Sequence, residues 1–165
     1  MTLQQKLLAK QSKKGFTLVE LVVVIAILGI LAAIAIPAVV GIINNAQKSS
    51  KETNAAELSN AVKNLYAGVS SGQINSSTPQ DELNKLSQSA LPAANATVAD
   101  CKTAANALTV QSAVDYGGLA TKFNNDNIKD YVYETDDGTI YYSGSHTGGT
   151  ELSLDTTLGT IRNAQ

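Results

Sequence analysis

The run from Phe16 to Ile43 holds one charged residue, Glu20, among side chains that are otherwise apolar or small. As a helix, its roughly 28 residues would extend about 42 Å, more than the roughly 30 Å of hydrocarbon in a bilayer. A helix that is apolar on every side must be covered on every side, by lipid or by other helices. Four lysines (Lys6, Lys10, Lys13, Lys14) and no acid precede it. That excess of positive charge keeps the N-terminus cytoplasmic and sends the rest of the chain outward. A carboxylate inside such a segment costs on the order of 3 kcal/mol, so Glu20 calls for a functional explanation.

Three readings compete. An ordinary secretory signal has a basic start, an apolar run and a small-x-small cleavage site, here Ala33-Ile34-Ala35. It would leave a soluble secreted protein beginning at Ile36. Glu20 inside the apolar run and Pro37 just past the cut both speak against it. A plain single-span anchor is the second reading, and it leaves Glu20 unexplained.

The third rests on the stretch Gly15-Phe16-Thr17-Leu18-Val19-Glu20. It resembles the cleavage and N-methylation motif of type IV prepilins and the related pseudopilins of type II secretion. Lys13-Lys14 before the glycine, phenylalanine after it, glutamate at the fifth mature position and Pro37 at the twenty-second all fit that pattern. The resemblance covers about residues 10 to 45; the remainder agrees in general layout only. It implies cleavage between Gly15 and Phe16 by a membrane-embedded prepilin peptidase, and methylation of the new terminus at Phe16. It also implies an assembly salt bridge in which the Phe16 amine of one subunit meets the Glu20 carboxylate of its neighbour. An ion pair of this kind is poor evidence for stability but sets register, because either charge left alone is costly.

Gly29, Ala33, Pro37 and Gly41 recur every four positions and so share one helical stripe. Small stripes let helices approach closely in apolar surroundings. Gly29 and Pro37 also weaken the helix between them, since proline removes a backbone hydrogen bond. By resemblance, this is where pilin helices lose regular structure in a filament.

Beyond the apolar run, Leu58, Ala61, Val62, Leu65, Tyr66 and Val69 keep helical spacing on one face. One helix is therefore expected from Phe16 to about Val69, roughly 80 Å long. Thr78-Pro79-Gln80-Asp81 has the form of a helix start, with Leu83 and Leu86 turned inward. Residues 90–122 read as loop and short helix, with a break at Gly117-Gly118. Tyr131–Thr135 and Thr139–Ser143 flank Asp137-Gly138, a hairpin signal. Leu152 and Leu154 suggest a third strand. Four of the six tyrosines fall in the hairpin, where cross-strand packing is their expected task.

The fold expected is α+β: a long N-terminal helix packed against a small antiparallel sheet, as in pilins. The organisation expected is a leader at 1–15, a transmembrane or filament-core helix at 16–43, its amphipathic half at 44–70, and a head at 71–165.

Other chemistry is thin. Residues 16–165 carry eight bases against fourteen acids, which disfavours direct nucleic-acid binding. The single cysteine, Cys101, forbids an intrachain disulfide and reads as a buried thiol. By resemblance, the missing pair leans toward a Gram-positive bacterium or a pseudopilin, since many Gram-negative pilins staple a C-terminal loop. His146 has no second metal ligand near it in sequence. Asp136 and Asp137 beside Gly138 offer carboxylates of the kind calcium takes, as some pseudopilin heads do, but turns favour aspartate anyway. Asn75-Ser76-Ser77 and Asn95-Ala96-Thr97 match the glycosylation pattern, one that chance supplies readily in an Asn/Ser-rich chain. No phosphate loop, nucleophile elbow or paired catalytic carboxylates occur, so neither an enzyme nor a cofactor is expected.

The sequence thus points to a structural subunit of a type IV pilus. It would be a single-pass precursor with a cytoplasmic N-terminus, then part of an extracellular filament. The partners implied are other copies of itself, minor pilins, the prepilin peptidase, an inner-membrane assembly platform and a motor ATPase. A pseudopilin of a type II secretion or DNA-uptake system shares the motif, as does a minor tip pilin. The sequence does not choose among twitching, adhesion, DNA uptake and secretion.

Overall fold

A computed structural model describes residues 15–135 and 138–162. The chain divides into two compact units, Met1–Asn45 and Ala46–Gln165. Helix α1, Leu18–Ser70, supplies the described helix of the first unit and is the opening element of the second. It starts two residues later than the apolar pattern suggests, because Thr17 serves as its cap. Pro37 lies inside it and the helix continues on both sides.

In the second unit, α1 is followed by α2 (Val98–Ala107), α3 (Val110–Tyr116), β1 (Tyr131–Tyr133), β2 (Ile140–Tyr142), β3 (Thr150–Glu151) and α4 (Leu158–Ile161). The strands form an antiparallel sheet in the order β2-β1-β3, with Tyr131 opposite Tyr142 and Val132 opposite Glu151. The fold is α+β and pilin-like: a long N-terminal helix and a small three-stranded antiparallel sheet. The hairpin falls where Asp137-Gly138 predicts it, with shorter strands. The third strand ends before Leu152, not around it; the Leu152 amide still donates to Tyr131 (2.9 Å), and both Leu152 and Leu154 are buried.

The amphipathic stripe of α1 organises the core. Leu58, Val62, Leu65 and Val69 are wholly buried, in one cluster with Val114, Ile140, Leu158 and Ile161. The one buried polar residue among them is Ser59. Its hydroxyl accepts from the Ile140 amide (2.7 Å) and donates to the Ile140 carbonyl (3.2 Å). β2 is an edge strand, and an edge with unpaired backbone groups invites foreign strands. Ser59 closes that edge onto α1. Ser59→Ala leaves a buried amide without its acceptor and is expected to cost about 1–3 kcal/mol, read as a lower unfolding midpoint of the second unit.

The helix expected from Thr78 is absent. Residues 78–86 form successive tight turns, with Glu82 bonded to Pro79, Leu83 to Gln80 and Leu86 to Leu83. Asn84 takes φ 53°, a left-handed value that ends any helical run, and its side-chain Nδ2 donates to the Tyr116 carbonyl. Thr78 accepts from the Asn75 amide (3.0 Å) instead of capping. Leu83 and Leu86 are buried all the same. Residues 90–122 hold two short helices. Each starts at a threonine whose hydroxyl accepts from the amide three residues on: Thr97 with Asp100, Thr109 with Ser112. Gly117 ends α3, and Gly118 follows at φ 67°. Cys101 is a buried, free thiol in α2.

Candidate processing and assembly site

Gly15, Phe16 and Thr17 precede α1, and all three are exposed. Thr17 sets the helix start: its hydroxyl accepts from the Glu20 amide (3.2 Å), and its carbonyl accepts from the Leu21 amide (3.2 Å). Thr-x-x-Glu ahead of an apolar run is a capping signature that the sequence reading passed over. Glu20 thereby sits in the first turn, where the partial positive charge of the helix end favours an acid. Of the two residues expected to form the salt bridge, Phe16 lies outside the helix, 85% exposed, and Glu20 lies in its first turn.

From Leu18 to Ile43 every large apolar side chain is between 48% and 78% exposed. No element of the described chain covers this stretch, which is long and apolar enough to cross a membrane. One long apolar N-terminal helix of this kind is consistent with a single-pass anchor.

The glycines divide by surroundings. A Cβ placed on Gly15, Gly29 or Gly41 would meet nothing within 4 Å, and none of the three takes a positive φ. In the second unit, a Cβ on Gly159 would lie 3.0 Å from the Asn106 carbonyl, and one on Gly149 3.0 Å from the Tyr133 carbonyl. Packing within the chain accounts for the second set and not the first.

His146 pairs with Glu134 (3.0 Å) and stacks on Tyr141, and among the described residues no group of three potential ligands could hold a metal ion. Asp136 and Asp137 lie outside the described residues. Asn75 spends its side chain on turns, donating to the Gly72 carbonyl and accepting from the Ser77 amide. Thr97 donates to Asp100 (2.7 Å) in its capping box.

The second unit also holds a contact that periodicity could not show. Lys51 donates to Asp130 (2.8 Å) and lies 5.0 Å over the Tyr142 ring, while Tyr131 packs edge-on to both Phe123 and Tyr142. The bond to Asp130 raises the Lys51 pKa above its usual 10.5, against a smaller opposing effect of burial. Burial raises the Tyr131 phenol above 10.0, partly offset by Asn54 and the Lys51 charge. Both groups hold their protons more tightly folded than unfolded. Their contribution is therefore complete below the unfolded values of 10.0 and 10.5 and is lost as pH climbs through the higher folded ones. Denaturant midpoints measured against pH should fall above pH 10, and Asp130→Asn should remove the Lys51 share of that fall.

An uncovered apolar helix with a capped acidic first turn precedes a helix-and-sheet unit in the chain. Residues 10–36 match the family described as the prokaryotic N-terminal methylation motif. That match supports a type IV pilin-like prepilin family and a substrate of the pilin or pseudopilin type, and a motif of this kind implies processing by a prepilin peptidase. No curated protein and no solved structure matches the chain.

Proposed function

We propose that the chain is a filament subunit of a type IV pilus, cut between Gly15 and Phe16, methylated at Phe16, and polymerised through the first half of α1. The observation that carries this is the stretch Leu18–Ile43, apolar apart from Glu20 and covered by nothing among the described residues. Lipid covers it in the precursor and other copies of the same helix cover it in the filament. Burial is favourable at about 25 cal/mol per Å² removed from water, so neither state leaves it wet. Lifting it from one cover to the other is the task of an assembly platform and motor ATPase. The stripe of Gly29, Ala33, Pro37 and Gly41 supports the reading, since a Cβ on Gly29 or Gly41 would meet nothing among the described residues. Pro37 leaves the Ala33 carbonyl without its helical donor, a weak point at which a packed helix opens.

Intact mass and N-terminal sequencing of protein from cells with an active prepilin peptidase test the proposal. The expected mature chain begins at N-methylated Phe16. A start at Ile36 would instead make this an ordinary secreted protein. Electron microscopy of the purified assembly then separates a long surface pilus from the short pseudopilus of a secretion or DNA-uptake system.

A further inference from the structure

Between α1 and β2 in the second unit lies an open groove of about 460 Å³. On its helical side, Glu52, Ala55, Ser59 and Lys63 follow one another at helical spacing. Charged groups mark its two ends along the helix: Lys63 donates to Thr139 (2.8 Å), and Glu52 accepts from the Ser145 hydroxyl. The facing side carries the Tyr141 and His146 rings, stacked at 4.0 Å and 7° from parallel. His146 is tied by Glu134 (3.0 Å), and the neighbouring Ser145 amide donates to the Tyr142 carbonyl (3.0 Å). The aromatic pair is therefore positioned before any ligand arrives, which lowers the entropic cost of binding.

Three properties choose the ligand. A flat aromatic surface takes the apolar face of a ring. Hydrogen-bonding groups of both kinds surround it, from Glu52, Asn60, Lys63 and Ser145. The second unit as a whole carries thirteen acids against eight bases, so an anion is repelled on approach. An open groove, unlike a closed cavity, lets one sugar ring enter while the rest of a longer chain stays in solvent. We propose that this groove binds a stretch of neutral oligosaccharide, with a sugar ring against the Tyr141–His146 pair and its hydroxyls bonded to the polar side chains at the edges. Sugar binding here is independent of which filament the chain builds.

The test is an NMR titration of the full-length chain in micelles of a phosphocholine detergent, because sugar-headed detergents would compete. Maltotetraose and chitotetraose are the probes, and the Tyr141 and His146 ring resonances are the reporters. Saturable shifts at those rings are expected, with binding about tenfold weaker in Tyr141→Leu and unchanged in Lys102→Ala, an exposed control on α2. Glu52→Gln is a second variant at an exposed position, expected to weaken binding as well, should Tyr141→Leu fail to fold. The proposal is overturned if neither sugar saturates by about 10 mM, beyond the millimolar range of a weak site. It is also overturned if saturation survives both groove substitutions. Ring shifts that follow protein concentration and ignore sugar would show a second copy of the chain in the groove, and would overturn it too.

Discussion

Glu20→Ala yields precursor that is inserted and cleaved but forms no filaments. On the proposed reading, cleavage at Gly15 would leave a cationic amine at Phe16, and a bare amine buried between helices is as costly as a bare carboxylate. Two unit charges about 4 Å apart attract by roughly 4 kcal/mol at an effective dielectric near 20. Removing one partner forfeits that attraction and strands the other charge, a loss on the order of 3–5 kcal/mol for each subunit added. A filament grows by repeating one step, so a penalty of that size at every addition stops growth. Two further substitutions separate this intermolecular task from the local one. Thr17→Ala removes the hydroxyl that accepts from the Glu20 amide and costs about 1 kcal/mol of helix capping, but leaves the charge pair intact, so filaments persist. Glu20→Gln keeps the volume and the hydrogen bonding without the charge, so filaments are lost. Counting filaments by electron microscopy, beside immunoblots for cleavage, distinguishes the three. Normal fibre growth in Glu20→Ala would falsify the pairing.

The parts of this protein visible in its sequence are those where a local pattern and a global need coincide. The stripe Leu58-Val62-Leu65-Val69 repeats with the period of the helix it forms, and the apolar run from Phe16 is too long for anything but a helix. Residues 71–97 are different. Pro79 after a threonine has the form of a helix start, yet the chain folds into turns there, because Asn84 gives its amide to Tyr116, far away in sequence. Short-range pattern carries no information about such a contact. Thr97-x-x-Asp100, Thr109-x-x-Ser112 and Thr17-x-x-Glu20 were within reach: each is a cap read three residues ahead, hidden in a chain crowded with threonine and serine. Ser59 shows the opposite limit. On the helix pattern it is one more small polar residue beside Leu58, and only the approach of β2 turns its hydroxyl into the closure of a sheet edge.

Two leucine-to-alanine substitutions on the same helix are expected to behave in opposite ways. Leu58 is wholly buried in the core of the second unit, so truncating it removes an isopropyl group from a packed interior. Leu58→Ala therefore costs about 2–5 kcal/mol from lost transfer energy and the cavity left behind. Domains of this size are stable by only about 5–15 kcal/mol in all. The thermal midpoint should fall by about 10 °C or more, and protease resistance of the second unit should fall with it. Leu28 lies on α1 as well, but its side chain is 57% exposed and touches none of that core. Leu28→Ala should leave the midpoint of the second unit unchanged, because its side chain is no part of that unit's core cluster. Its effect is expected in the assembly, where each subunit would bury less apolar surface and filaments would shear more easily. A calorimetric scan of each variant in micelles, paired with a shear assay on filaments, checks both arms. Equal destabilisation by the two substitutions would mean that residues 18–43 pack against their own chain. That would remove the reason for reading them as a surface awaiting lipid or another subunit.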